Sequence, residues 1–125
     1  MPQSTHALAD VEVTKMAARF ELAQLGVGTF SAVYVAKDSV SGASVACKVQ
    51  DVACKMRLSA VRREVRIMGR LRHKHVVALH EWGSLELEGA SYIYMEHARN
   101  GDLFSFLLDR GTLDEPIARR FFAQM

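Results

Sequence analysis

Leu25-Gly26-Val27-Gly28-Thr29-Phe30-Ser31-Ala32-Val33, followed by Val45-Ala46-Cys47-Lys48, is the part of this chain that decides its fold. The first stretch is a glycine-rich turn between two segments of alternating apolar residues. The second sets a lysine inside a third such segment. Glycines let backbone approach phosphates with no Cβ in the way, and a lysine on a strand supplies positive charge at a fixed position. Together they are a means of holding a nucleotide.

Working outward, Phe20 to Leu25 and Ala32 to Lys37 alternate on either side of the glycines and predict a hairpin. Asp38-Ser39-Val40-Ser41-Gly42 is turn chemistry, with Gly42 free to take positive φ. Ser44 to Gln50 predicts a third strand. The period then becomes helical: Leu58, Val61, Val65, Met68 and Leu71 recur at three- and four-residue steps, with Ser59 as a candidate N-cap. Beyond His73-Lys74-His75, apolar runs from Val76 to Trp82 and from Ser91 to Met95 predict two more strands joined by a loop from Gly83 to Gly89. Asn100-Gly101-Asp102 opens a short helix through Leu108, which Gly111 stops. Asp114 then caps another, with Pro116 in its first turn. The sum is an α+β fold: three strands, a helix, two strands and the start of a second helical layer. Residues 1–19 read as a flexible polar leader.

A glycine-rich turn also opens dinucleotide-binding βαβ units, where a helix follows the glycines directly. Here Ala32 to Lys37 alternates as a strand, and no helical period begins before Leu58. Ser31 stands where a third glycine would, a departure from both patterns.

The motifs and their order resemble the protein kinase family from Phe20 to Met125. The resemblance implies a small lobe over about 20–95, with a five-stranded antiparallel sheet and one main helix. It also implies a hinge over about 96–101 and the start of a second lobe over 102–125. Val45-Ala46-Cys47-Lys48 looks like the family's Val-Ala-Ile-Lys segment, whose lysine contacts the α- and β-phosphates of ATP and pairs with a helix glutamate. Glu64 fits that glutamate. It lies beside the apolar face of the predicted helix, where a carboxylate is costly unless it meets a cation. The bland alternatives are an exposed strand lysine and a solvated helix edge.

By the same resemblance, Gly26, Val27, Gly28, Thr29, Phe30 and Ser31 cover the phosphates, and Leu25, Val33 and Ala46 sandwich the adenine. Met95 guards the rear of the pocket, and the backbone at Glu96 and Ala98 meets the adenine edge. Asp102 matches the acidic residue that bonds the ribose, and it is equally a plain N-cap. His73 matches a structural histidine after the helix. The implied cofactors are ATP and Mg2+, and the implied further partner is a protein substrate. Gly101-Asp102-Leu103-Phe104 and the segment from Gly111 to Met125 look like calcium/calmodulin-type or cyclic-nucleotide-type Ser/Thr kinases rather than Tyr kinases.

The family's catalytic His-Arg-Asp and metal-holding Asp-Phe-Gly motifs do not occur between Met1 and Met125. The expectation is therefore a truncated domain, a fragment that binds nucleotide without transferring phosphate by itself. Ile117, Phe121, Phe122 and Met125 are then expected to form an exposed apolar patch, open to the missing second lobe or to another kinase-like chain. The rival function is a non-catalytic kinase-like interaction module.

Composition narrows the classes further. Across 125 residues, half are hydrophobic and the formal net charge is +2, which suits one compact unit and points to neither nucleic acid nor membrane. No run of about eighteen apolar residues exists to span a bilayer. Arg62, Arg66 and Arg70 form a basic helix stripe, read as a solvated face with docking of a phosphorylated loop or acidic partner as the functional option. The two cysteines read as reduced thiols of an intracellular protein, no cysteine–histidine pattern with zinc spacing appears, and a cytoplasmic or nuclear location is expected. The first residues lack the basic and apolar regions of a secretory signal.

Overall fold

A computed structural model describes residues 20–38, 42–85 and 89–125. The predicted leader, positions 39–41 of the predicted turn and positions 86–88 of the predicted loop lie outside them. The element order is β1 (Phe20–Val27), β2 (Ser31–Asp38), β3 (Ser44–Asp51), α1 (Lys55–Arg70), β4 (Leu79–Leu85), β5 (Ala90–Glu96), α2 (Leu103–Arg110) and α3 (Glu115–Gln124). The strands form one antiparallel sheet in the order β1-β2-β3-β5-β4.

Because side chains alternate along a strand, the register sorts residues onto two faces. Val33 stands opposite Lys48, which stands opposite Ile93; Val35 stands opposite Ala46, which stands opposite Met95. These residues share the face that α1 covers. There Val61 and Val65 pack with Val52 and Ile93, flanked by Leu58, Met68, Leu79 and Met95. Burying each of the two helix valines stabilises the fold by about 1.5–3 kcal/mol. On the opposite face Ala36, Cys47 and Val49 are buried beneath Tyr34, Val45, Tyr92 and Tyr94. Tyr92 and Tyr94 meet edge to face at 5.2 Å between ring centroids.

Several boundaries differ from the sequence reading; the strand expected from Val76 begins only at Leu79. The main helix begins at Lys55, and its N-cap position is Cys54 rather than Ser59. Asp51 explains the extra turn: its Oδ1 accepts the Ala53 N–H at 2.9 Å and its Oδ2 accepts Arg57 Nη1 at 2.9 Å, so the end of β3 starts the helix. A link between two elements overrides a local capping preference. Likewise Gly83, expected in a loop, belongs to β4 opposite Tyr92. A Cβ on Gly83 would lie 2.7 Å from Tyr92 Cε1, so glycine here makes room for a ring instead of a turn.

α2 and α3 bury no residue completely. They meet through Phe106 and Phe121, whose rings stand edge to face at 5.7 Å. Asp102 caps α2 through the Ser105 N–H (2.6 Å), Gly111 ends it at φ 78, and Asp114 caps α3 through the Ile117 N–H (3.1 Å). Phe104, Leu108, Ile117, Phe122 and Met125 remain exposed. Among the described residues, no helix is long and apolar enough to cross a membrane.

Candidate functional site

The β1–β2 turn closes through the Gly28 N–H, which donates to the Ser31 carbonyl at 2.6 Å. Neither Gly26 nor Gly28 has positive φ. A Cβ on Gly26 would meet nothing within 4 Å, so neither the fold's dihedrals nor its packing requires glycine there. The missing side chain leaves open space above the backbone, which is the condition a close-lying ligand needs.

Beneath this turn lies a cavity of about 340 Å³ lined by Thr29, Phe30, Ser31, Lys48, Gln50, Asp51, Arg57, Ala60, Val61 and Glu64. β3 delivers Lys48 to its floor, and α1 delivers Glu64 to its wall. Lys48 Nζ donates to Glu64 Oε1 at 2.9 Å and to Oε2 at 3.2 Å. The two side chains are 24% and 37% exposed. A pair this open contributes about 1 kcal/mol at most to stability. Its larger effect is geometric: the carboxylate holds a flexible ammonium at one point of the cavity. Gln50, on the same strand, also lines the cavity, and its Oε1 is buried without a hydrogen-bond partner among the described residues.

The sequence-predicted site residues divide into groups. Thr29, Phe30, Ser31, Lys48 and Glu64 line the cavity together. Gly26 stands opposite Val33, and Val27 opposite Ala32, at the turn end of the same strands. Leu25 falls in the register shift of β1 and is exposed, as is Val27. Ala46 and Met95 are cross-strand partners one pleat away from Lys48. Ala46 is buried, and Met95 leans on the Ile93–Val61–Val65 core. Glu96 is tied to the residue before β4: its N–H donates to the Ala78 carbonyl (2.8 Å), and its Oε2 accepts the Ala78 N–H (3.1 Å). Ala98 is exposed just beyond the end of β5, and beside it Ser44 Oγ and His97 Nδ1 lie 3.1 Å apart. Asp102 is an N-cap. Hydrogen bonds from the Ser105 backbone N–H, then from its side chain, hold its carboxyl below the usual carboxylate range.

Sequence reasoning missed Gln50, Asp51 and Arg57, which line the cavity alongside the expected residues. The readable signal was opposite charge at the end of β3 and in the first turn of the helix, but a helix drawn from Ser59 leaves Arg57 outside it. Among the described residues, no group of three or more His, Cys, Asp or Glu side chains is placed to hold a metal ion.

The protein kinase domain profile matches residues 20–125. CBL-interacting protein kinase 4 of Oryza sativa subsp. japonica is 45% identical over 114 residues, covering 86% of this chain and 25% of the relative. CBL-interacting protein kinase 16 of the same organism is 42% identical over 120 residues, covering 92% and 26%. CBL-interacting serine/threonine-protein kinase 20 of Arabidopsis thaliana is 40% identical over 111 residues, covering 86% and 25%. The chain thus spans about a quarter of the length of these relatives.

Proposed function

The chain belongs to the protein kinase family, and on that premise we propose that it supplies the ATP-binding portion of a protein serine/threonine kinase. Residues of about 20–95 are the small lobe, 96–101 the hinge and 102–125 the first part of the second lobe. The observation that carries the reading is the Lys48–Glu64 pair set in a cavity directly under the glycine turn. Lys48, steadied by Glu64, meets the α- and β-phosphates. Backbone groups of the Gly26–Ser31 turn cover them. Leu25, Val33, Ala46 and Met95 enclose the adenine, the backbone at Glu96 and Ala98 meets its edge, and Asp102 reaches the ribose through its second carboxylate oxygen.

The family transfers the γ-phosphate of ATP with magnesium. The motifs that hold the metal and accept the substrate proton in the family do not occur between Met1 and Met125, and the described residues contain no carboxylate cluster in their place. No metal-dependent step is therefore assigned to these residues. Phosphorylation of a protein hydroxyl belongs to a full kinase domain. The exposed apolar side of α2 and α3 (Phe104, Leu108, Ile117, Phe122) supports a covering surface there, either the rest of a second lobe or another kinase-like chain.

Thermal unfolding with and without ATP tests the reading. Nucleotide at a hundredfold over Kd stabilises by about 2.7 kcal/mol, a rise of several degrees in Tm, and Lys48→Met should abolish it. No shift in the unsubstituted chain would overturn it. A stoichiometric complex with a kinase-like chain that ignores nucleotide would favour the interaction-module reading.

A further inference from the structure

Three residues at the mouth of the cavity form a closed ring of contacts. The Asp51 N–H donates to the Phe30 carbonyl at 2.8 Å. Asp51 Oδ2 accepts Arg57 Nη1 at 2.9 Å, and the Arg57 guanidinium lies over the Phe30 ring, 3.8 Å from its centroid. The Asp51 side chain is only 6% exposed, so its charge needs the arginine. Phe30, in contrast, is 48% exposed at the tip of the glycine turn and adds little to the core. A turn built around Gly26 and Gly28 has few contacts of its own to hold it down. Here its tip is held by an arginine of the first turn of α1, the helix that also carries Glu64.

We infer that Arg57 is a positioning residue. Anchored by the buried Asp51, it clasps Phe30 and keeps the glycine turn lowered over the Lys48–Glu64 pair, so that the position of α1 and the closure of the turn move together. A phosphate chain under the turn is retained longer when the clasp is shut. This second consequence rests on the nucleotide-binding reading; the clasp itself does not. A planar guanidinium stacks on a ring while it donates to a carboxylate, which a lysine ammonium does not reproduce.

The test uses the full chain with Phe30→Ala, Phe30→Trp, Arg57→Lys and the double variant F30A/R57K. Arg57→Lys keeps a cation beside Asp51, and Phe30→Ala touches only an exposed ring, so both leave the fold standing. Hydrogen exchange is read without nucleotide. Each of F30A and R57K should speed exchange at the Gly28 amide by about three- to tenfold while amides of the β3–β5 ladder stay unchanged. The double variant should exchange no faster than the single ones, and F30W should exchange as slowly as the parent chain. Unchanged exchange at Gly28, or additive effects in the double variant, overturns the clasp. A fluorescent ATP analogue then reads retention: Kd should rise about three- to tenfold in F30A and R57K, and an equal Kd overturns the coupling to nucleotide. If the parent chain takes up no analogue, the nucleotide reading falls, and exchange at Gly28 still decides the clasp.

Discussion

Glu64 Oε1 lies 2.9 Å from Lys48 Nζ across the gap between α1 and β3, and both side chains reach solvent. A pair so placed adds little to stability, yet it fixes a charge. Glu64→Gln should therefore leave thermal stability within about 1 kcal/mol of the parent chain. It should weaken nucleotide binding by roughly tenfold, about 1.4 kcal/mol, because the ammonium loses its fixed position. Paired measurements of Tm and Kd check both halves.

Gly26 offers a sharper separation of fold from function. Its φ is not positive, and an added methyl meets no neighbour. Gly26→Ala should leave the unfolding midpoint within about 0.5 kcal/mol of the parent, while nucleotide binding drops measurably. A large loss of stability would show that the turn needs this glycine for its own sake.

Gly83 predicts the reverse. The Tyr92 ring occupies the space a Cβ would need, and that ring is itself packed edge to face on Tyr94. Gly83→Ala should destabilise by about 1–3 kcal/mol, as overpacking does. With Tyr92→Ala already in place, Gly83→Ala should cost less than it does in the parent chain, read from urea midpoints.

Asp102 gives a pH signature. The bonds from Ser105 lower its folded pKa from the ordinary value of 3.8, the backbone N–H contributing most. The cap is thus fully formed above the unfolded-state pKa and is lost as pH falls through the lower, folded one. An NMR titration should show the Ser105 amide moving upfield only below the ordinary aspartate range, with α2 fraying alongside it. A midpoint at or above that range would contradict the cap.

Much of this architecture is legible from local periods. The strands on either side of the glycines, the helical spacing of Leu58, Val61, Val65 and Met68, and the caps at Asp102 and Asp114 all depend on residues near one another in sequence. Lys48 and Glu64 were legible as a pair because their motifs resemble the family's lysine and helix glutamate, and a carboxylate beside an apolar stripe calls for a cation. What was not legible depends on chain segments meeting. The start of α1 is set by Asp51 from the preceding strand. The place of Gly83 is set by a tyrosine on its neighbour strand, and Arg57 finds Phe30 only after the sheet and helix have come together. No period or turn preference encodes such meetings. The apolar patch expected at Ile117, Phe121, Phe122 and Met125 was legible in outline, but Phe121 turns inward onto Phe106 while Phe104 and Leu108 take a place on the surface.

The chain has two cysteines, and the fold treats them oppositely: Cys47 is fully buried in the sheet, while Cys54 stands exposed at the head of α1. A thiol-directed dye would therefore attach at one place without any engineering. That place is three residues before Arg57, at the start of the helix that brings Glu64 to Lys48. The native sequence thus comes with its own attachment point for a fluorescent or spin label, from which any change at the start of this helix can be read in solution.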